Sequence, residues 1–393
     1  MSQAIYTGVN NVARKVKTIY VGVNGVARKV RKAYIGVAGK ARLFYLGYIV
    51  AKKLSVSLTP WSDYYGYGIP CGTSIGKYAV FAAYEASNTS GGSNTVLAFS
   101  DTLTRSTPAT LSVRQSNLFA EHTSKHGLFL GPNNSSSIFN AFNTSFTRTD
   151  LTLPQSGWGN MGTALLADKA LFAGGKSYPD NKLDVVYAYD TSLTRTQLTS
   201  LSSKRFGIHS AANDSYAVFA GGYDSAASDV VEAFNTSFTK VAAPVLGKAY
   251  YEWMSIKATA AGMKEHVLLF PRVDDDEFAG EVYAYDTSLT RTLAPSRYYT
   301  GTMPWAADPF AVSINNTILV GGSSTHSVST SNYDNYDGAE LYDDSLTRTV
   351  VDVFTHGRSR IFGAAAGDYV IFGGGANPNH QDWSQTMEVY EVS

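Results

Sequence analysis

Seven short apolar runs recur along most of this chain, centred on Phe81, Phe129, Phe172, Phe219, Leu269, Leu319 and Ile371, in steps of 48, 43, 47, 50, 50 and 52 residues. They read YAVFAAY, GLFLGP, ALFAGG, AVFAGG, VLLFPR, TILVGG and VIFGGG. A second signature follows each of the first six: AFSDTLTRS, AFNTSFTRT, AYDTSLTRT, AFNTSFTKV, AYDTSLTRT and LYDDSLTRT. A self-similar period of about 40–50 residues with several strands per unit is the mark of a β-propeller. Each unit reads as four strands. Strand a is short and weakly marked, as in HSAANDS. Strand b is the run before the glycines, strand c is VVYAY or its equivalent, and strand d follows the DTSLTRT turn. Asp or Asn opens that turn by bonding its own backbone. The glycines after strand b allow a sharp turn where a Cβ would clash. Thr-Arg-Thr suits an exposed outer strand.

The chain's two ends imply closure of the ring. The seventh unit stops at MEVYEVS, which reads as strand c, while LSVSLTP (54–60) reads as a strand with no a, b or c before it. Strand 54–60 therefore completes the last blade, and closure removes the exposed edges. The expected architecture is all-β: a seven-bladed propeller over residues 54–393, preceded by a separate module at 1–53.

The apolar run with Gly-Gly (Gly174-Gly175, Gly221-Gly222, Gly321-Gly322, Gly373-Gly374) and the following Tyr-Asp pair (Tyr189-Asp190, Tyr285-Asp286, Tyr342-Asp343) resemble the kelch family. The likeness covers roughly residues 54–393. It departs from kelch where that family usually has a Trp after the strand c turn, since Thr-Arg-Thr stands there instead. Units one, two and five also lack Gly-Gly.

The first 53 residues have a different repeat, of period 14: Tyr6, Tyr20 and Tyr34; Gly8, Gly22 and Gly36; Arg14, Arg28 and Arg42. Asn24-Gly25 between β-branched residues is a strong hairpin signal, and Asn10-Asn11 and Ala38-Gly39 hold the same place. The stretch reads as a run of short β-hairpins, too poor in large apolar side chains to stand alone. It contains eleven Lys/Arg and no acidic residue, leaving the remainder with 21 basic and 32 acidic residues, a net of −11. Such asymmetry implies two modules with different partners. Alternating cations on strands also serve solubility and edge protection, and nucleic acid is not the expected partner. The tandem YVGVNGVARKV unit resembles short repeats in tail-associated structural proteins of phages and prophages of Gram-positive bacteria. That resemblance implies an attachment or oligomerisation module, contacting other virion proteins or itself, on a virion protein made in the bacterial cytoplasm. No secretory signal is read at the N-terminus, and the run Leu43–Val50 is too short to span a bilayer.

In a four-stranded blade the a–b and c–d turns share one face of the disc, and the b–c and d–a connections share the other. The c–d turns here are short and near-identical, whereas the b–c and d–a connections are long and irregular. They hold all five tryptophans (Trp61, Trp158, Trp253, Trp305, Trp383), tyrosines that include Tyr64, Tyr65, Tyr67, Tyr251, Tyr298, Tyr299 and Tyr336, and the acids Asp337 and Asp382. Rings beside carboxylates suit glycans and protein hot spots, so these residues form the candidate ligand-binding face. Packing between blades is the alternative for any single ring. Asp274, Asp275 and Asp276 lack the alternating spacing and turn glycine of an EF-hand loop and leave only a weak Ca²⁺ candidate.

Enzyme signatures are sparse. HExxH and the phosphate loop are missing. His122 and His126 stand four apart but on a strand and loop, a poor metal pair. The lone Cys71 rules out a disulfide within the chain and reads as a small buried thiol. No cofactor is expected. The expected function is a non-enzymatic, virion-associated protein whose propeller binds a host-surface glycan or protein. A glycan-active enzyme and a host-encoded kelch-type interaction scaffold are the rivals; two distant carboxylates would be invisible to sequence reading.

Overall fold

The computed structural model describes residues 71–82, 93–115, 117–131, 137–249, 259–271, 281–297, 309–322, 338–351, 361–374 and 387–392 with their side chains. It describes by backbone 6–9, 12–15, 20–23, 26–29, 32–37, 40–46, 56–57, 306–307, 324–326, 333–335, 359–360, 375–376 and 386. Among these residues every regular element is a β-strand, and no helix is long and apolar enough to cross a membrane.

Seven four-stranded antiparallel sheets follow one another along the chain, each in the order a-b-c-d. Blades one to six occupy 71–115, 119–150, 162–197, 209–242, 260–294 and 310–351. Blade seven takes its first three strands from Ser359–Ala366, Tyr369–Ala376 and Thr386–Glu391, and its outer strand is Val56–Ser57. Met387 pairs with Val56 and Thr386 with Ser57, so the expected ring closure is present. The fold is a seven-bladed β-propeller.

Buried apolar residues fall into seven clusters, one at each junction between neighbouring blades. Cys71 lies in the cluster between blades one and two. Each sheet is apolar on both faces because each is sandwiched, and this is why strands b and c read as unbroken apolar runs rather than alternating ones. Near the axis the inner strands come closer still. Gly262 of blade five lies so near blade four that an added Cβ would overlap the Ala212 carbonyl oxygen. After strand b, Gly174 adopts φ +64°, and a Cβ there would sit 2.6 Å from the Arg205 oxygen.

The repeated c–d turn is an inter-blade fastener. Its opening Asp or Asn (Ser100 in blade one) accepts backbone N–H bonds from the second and fourth residues beyond it; for Asp286 these come from Ser288 and Thr290, both at 2.8 Å. The turn then forces a bulky residue into the left-handed region: Leu103, Phe146, Leu193, Phe238, Leu289 and Leu346 have φ between +57° and +64°. That conformation costs an L-residue about 1 kcal/mol or more. Each of these side chains offsets the strain by packing into the cluster shared with the preceding blade, as Phe146 does edge-to-face on Tyr78 at 5.1 Å. The basic residue that follows the turn also reaches backwards. Arg148, Lys240, Arg291 and Arg348 donate to the carbonyls of Thr110, Ser200, Val245 and Ser296. Thr-Arg-Thr is thus more than a soluble edge. Blade seven has no c–d turn, and Asn315 of blade six serves its junction by donating to Asp368 Oδ1 (2.8 Å) and to the Val392 carbonyl (2.5 Å).

The N-terminal repeats form three hairpins, each a two-stranded sheet of its own: Tyr6–Val9 with Val12–Lys15, Tyr20–Val23 with Val26–Lys29, and Lys32–Val37 with Lys40–Leu46. The first two share one register, with Tyr6 opposite Lys15 and Tyr20 opposite Lys29.

Two stability measurements test this account. Leu289→Ala should cost about 2 kcal/mol through lost burial. Leu289→Gly should be the more stable of the two by about 1 kcal/mol, because glycine relieves the left-handed strain; Ala above Gly in a urea melt would refute the fastener. Removing residues 1–52 should leave the melting transition of the propeller in place, while removing 1–60 should lower it sharply. Equal melting temperatures for the two truncations would show that the ring does not depend on Val56–Ser57.

Candidate functional site

Strand order fixes which connections share a face. In every blade the b–c connection and the d–a crossing open on one side of the disc, opposite the a–b and c–d turns. Of the expected ligand-binding residues, Trp61, Tyr64, Tyr65, Tyr67, Tyr251, Trp253, Tyr298, Tyr299, Trp305, Tyr336, Asp337, Asp382 and Trp383 lie outside the described residues, as do Asp274, Asp275 and Asp276. All of them fall, in sequence, between strand ends that open on the b–c/d–a side.

Trp158 is described, and it is a core residue rather than part of a binding surface. It is fully buried, its indole N–H donates to the Gly174 carbonyl at 2.8 Å, and its ring packs against Tyr187 at 5.7 Å. A d–a crossing passes under the rim of two blades, so an aromatic residue in it can serve as inter-blade filling.

The described parts of this face are built up above the blades. Ala306–Ala307, Ser324–His326 and Tyr333–Asn335 form a small three-stranded sheet that joins the crossing into blade six to that blade's b–c connection. In blade three, Lys176–Ser177 and Asn181–Lys182 form a short hairpin with Tyr178 at its tip, 49% exposed. Beside it Phe206 and Tyr223 meet edge-to-face at 5.6 Å. The Lys176 ammonium lies 4.0 Å from the Phe206 ring centre and 2.7 Å from Asp180, and Lys182 lies over Tyr223 and bonds Asp224. An exposed ring with fixed ammonium donors and carboxylate acceptors around it is suited to a hydroxylated ligand.

Among the described residues two buried ion clusters hold the crossings beneath this face. In blade four Glu232 binds Arg205 (2.8 Å) from the incoming crossing and Lys240 (3.1 Å) from strand d. In blade six Glu340 binds Arg297 (3.2 Å) and Arg348 (3.5 Å) in the same way. The glutamates occupy equivalent places in strand c, and both arginines come from the d–a crossing into the blade, Arg205 near its end and Arg297 near its start. Buried pairs of this kind add little net stability but make the crossing's path unique, since any other path would strand a charge.

Sequence reading missed the channel at the centre. The inner strands of all seven blades enclose a cavity of about 680 Å³. Strand a pairs on one side only, so its free edge turns backbone N–H and C=O groups toward the cavity. Hydroxyls answer some of them across the junctions: Ser74 donates to the Ala365 carbonyl and Ser210 to that of Thr163, each at 2.9 Å. The available signal was the Gly, Ala, Ser and Thr content of strands such as CGTSI and HSAA, which lets seven backbones meet near one axis. Glu121 and His122 line the same cavity. His122 Nδ1 lies 3.1 Å from Glu121 Oε1 and 3.3 Å from Thr73 Oγ1. Both partners use one ring nitrogen, so the trio is not a nucleophile–base–acid relay, which needs the hydroxyl and the acid on opposite nitrogens.

His126 starts strand b across the hairpin from His122, and burial together with Lys125 lowers its pKa. Among the described residues no group of three His, Cys, Asp or Glu side chains could hold a metal ion. No protein-family model matches the chain, and no curated protein matches it.

His209 sits at the junction of blades four and five, fully buried, with neither ring nitrogen hydrogen-bonded. Burial lowers its pKa to about 4, and the Thr259 backbone offsets only part of that. The folded protein therefore resists protonation that the unfolded chain accepts below its ordinary value of 6.5. Its contribution is intact above about pH 6.5 and is lost as the pH falls toward 4, at about 1.4 kcal/mol per pH unit. Urea midpoints at pH 7 and pH 5 should fall less in His209→Gln than in the parent; an equal fall would mean that other groups carry the acid sensitivity.

Proposed function

We propose that this chain is a non-enzymatic, virion-associated structural protein of a phage or prophage, held by its N-terminal hairpins and displaying the opposite face of its propeller to a host-surface glycan or protein. One observation carries the reading. In blade seven, strand c runs toward the a–b/c–d side and strand d starts there, at Val56. The hairpin module thus leaves the disc on the side away from the long aromatic connections, so anchoring and presentation occupy opposite faces. The kelch likeness of the blades supports a repetitive frame that carries variable loops, and the tail-protein likeness of residues 4–46 supports an attachment module.

Full-length protein should bind intact Gram-positive cells or their isolated wall glycans. Tyr178→Ala, Trp305→Ala and Trp383→Ala should each weaken that binding about thirtyfold, the effect of losing an anchor worth about 2 kcal/mol. Lys125→Ala and Asp214→Ala, on the other face, should leave it unchanged. A melting curve for each variant separates lost contact from lost fold. Binding that survives all three aromatic substitutions would overturn the reading, and shortening of the glycan on incubation would favour the enzyme alternative.

A further inference from the structure

On the loop side of blades three and four the connections 151–161, 174–185, 198–208 and 221–230 are all described with their side chains. Backbone bonds tie them into one ledge. The blade-three hairpin lies on the crossing before it: Gly159 and Lys176 exchange both backbone bonds, at 2.9 and 2.8 Å, and the Tyr178 N–H donates to the Ser156 and Gly157 carbonyls. Phe206 of the next crossing and Tyr223 of the blade-four connection exchange theirs, at 3.2 and 2.8 Å. Lys182 bridges the two blades, donating to the carbonyl and the carboxylate of Asp224. A ledge held in this way loses little further freedom when a ligand settles on it.

The charges on the ledge decide what that ligand can be. Lys176 is held between the Asp180 carboxylate and the Phe206 ring, and Lys182 between Asp224 and the Tyr223 ring. Both ammoniums are already neutralised. Over all four connections Lys176, Lys182 and Lys204 stand against Asp180, Asp184, Asp224 and Asp229, and Arg205 is answered from beneath by Glu232. An anionic polymer therefore meets no excess of positive charge. Acceptor capacity is what remains. The Asp180 and Asp224 side chains are 68% and 52% exposed, and one ammonium occupies only part of a carboxylate's lone-pair sites. Each ammonium also keeps an N–H to donate. Tyr178, between Lys176 and Asp180, is the one aromatic ring among the large apolar side chains left exposed in the described residues.

We propose that this ledge is a subsite for a neutral sugar unit and not for a phosphate-bearing wall polymer. The inference rests on the reading of the loop side as the presenting face and gives that face a ligand class. A pyranose lays its C–H face on a ring, donates hydroxyl hydrogens to fixed carboxylates and accepts from fixed ammoniums. A phosphodiester chain brings acceptors alone, and Asp180 and Asp224 confront it as like charges.

The sign of a double neutralisation tests the proposal. Binding of the full chain is measured to intact Gram-positive cells and, by saturation-transfer NMR, to free glucose, galactose, rhamnose and N-acetylglucosamine. Asp180→Asn with Asp224→Asn should weaken both about tenfold, because charge-assisted acceptors are lost. At an anion site the same change would free two ammoniums and tighten binding. Cell binding by the parent should be nearly unchanged in 1 M NaCl, where the screening length falls to about 3 Å and a polyanion contact would collapse. Periodate cleavage of the cells' vicinal diols should abolish it, whereas stripping the phosphodiester polymers should not. If the double variant melts early, the salt and periodate results on the parent decide alone. Unchanged or tighter binding by a folded double variant, collapse in high salt, or survival of periodate would each overturn the sugar subsite and leave the presenting face standing. A parent that binds neither cells nor any of the four sugars would overturn both. One that binds the sugars through this ledge but no cells would uphold the subsite and refute the host-surface reading.

Discussion

The whole structure depends on how closely seven backbones can approach one axis. A blade is wedge-shaped in its demands. At the rim there is room for Arg, Tyr and Phe; at the centre there is room for almost no side chain. Gly262, packed against the Ala212 carbonyl, is the extreme case. Because strand a has a partner on one side only, close approach would leave backbone groups unmet, and the inner-strand hydroxyls of Ser74, Thr163 and Ser210 answer them from the neighbouring blade. Small, hydroxyl-bearing residues are therefore required twice over, by volume and by hydrogen bonding. The central channel is what remains when those requirements are met.

Away from the axis the same junctions are held by apolar filling and by strain that the filling offsets. A leucine or phenylalanine in the left-handed region is poor local chemistry, yet six turns place one there. The turn geometry aims the side chain sideways into the previous blade, a direction the ordinary region would not give. Local cost and inter-blade gain are one arrangement, and the Asp, Asn or, in blade one, Ser100 at the head of the turn holds the backbone in it.

Periodicity made the fold legible. Strands b and c, the blade count, the paired strands on either side of each N-terminal repeat centre, and closure through a strand within 54–60 all follow from residue types at fixed spacing, and the described residues show each of them, the closing strand as Val56–Ser57. Three things were not legible. The turn's Leu or Phe reads as an ordinary apolar residue until its φ is known. The channel belongs to no single repeat, since each blade contributes only a few small residues to it. Trp158 looked like its fellow tryptophans because sequence shows that a residue lies in a crossing, not whether the crossing runs over the blade or beneath it. Where a glutamate and a crossing arginine recur together, as Glu232 with Arg205 and Glu340 with Arg297, the charge pattern does report the buried path.

The fasteners all point one way. In each of blades one to six, the turn residue that locks the junction belongs to the later blade and grips the earlier one. A unit copied whole therefore brings with it everything needed to seat on whatever precedes it. Duplication or loss of a unit inside the array changes the angle between blades but creates no junction without a lock. Only the seam at blade seven breaks this rule, since Asn315 and Val392 replace a turn there. That seam is the one place where the array cannot be lengthened by simple copying, because blade seven takes its outer strand from the distant Val56–Ser57 and has no turn of its own to bring.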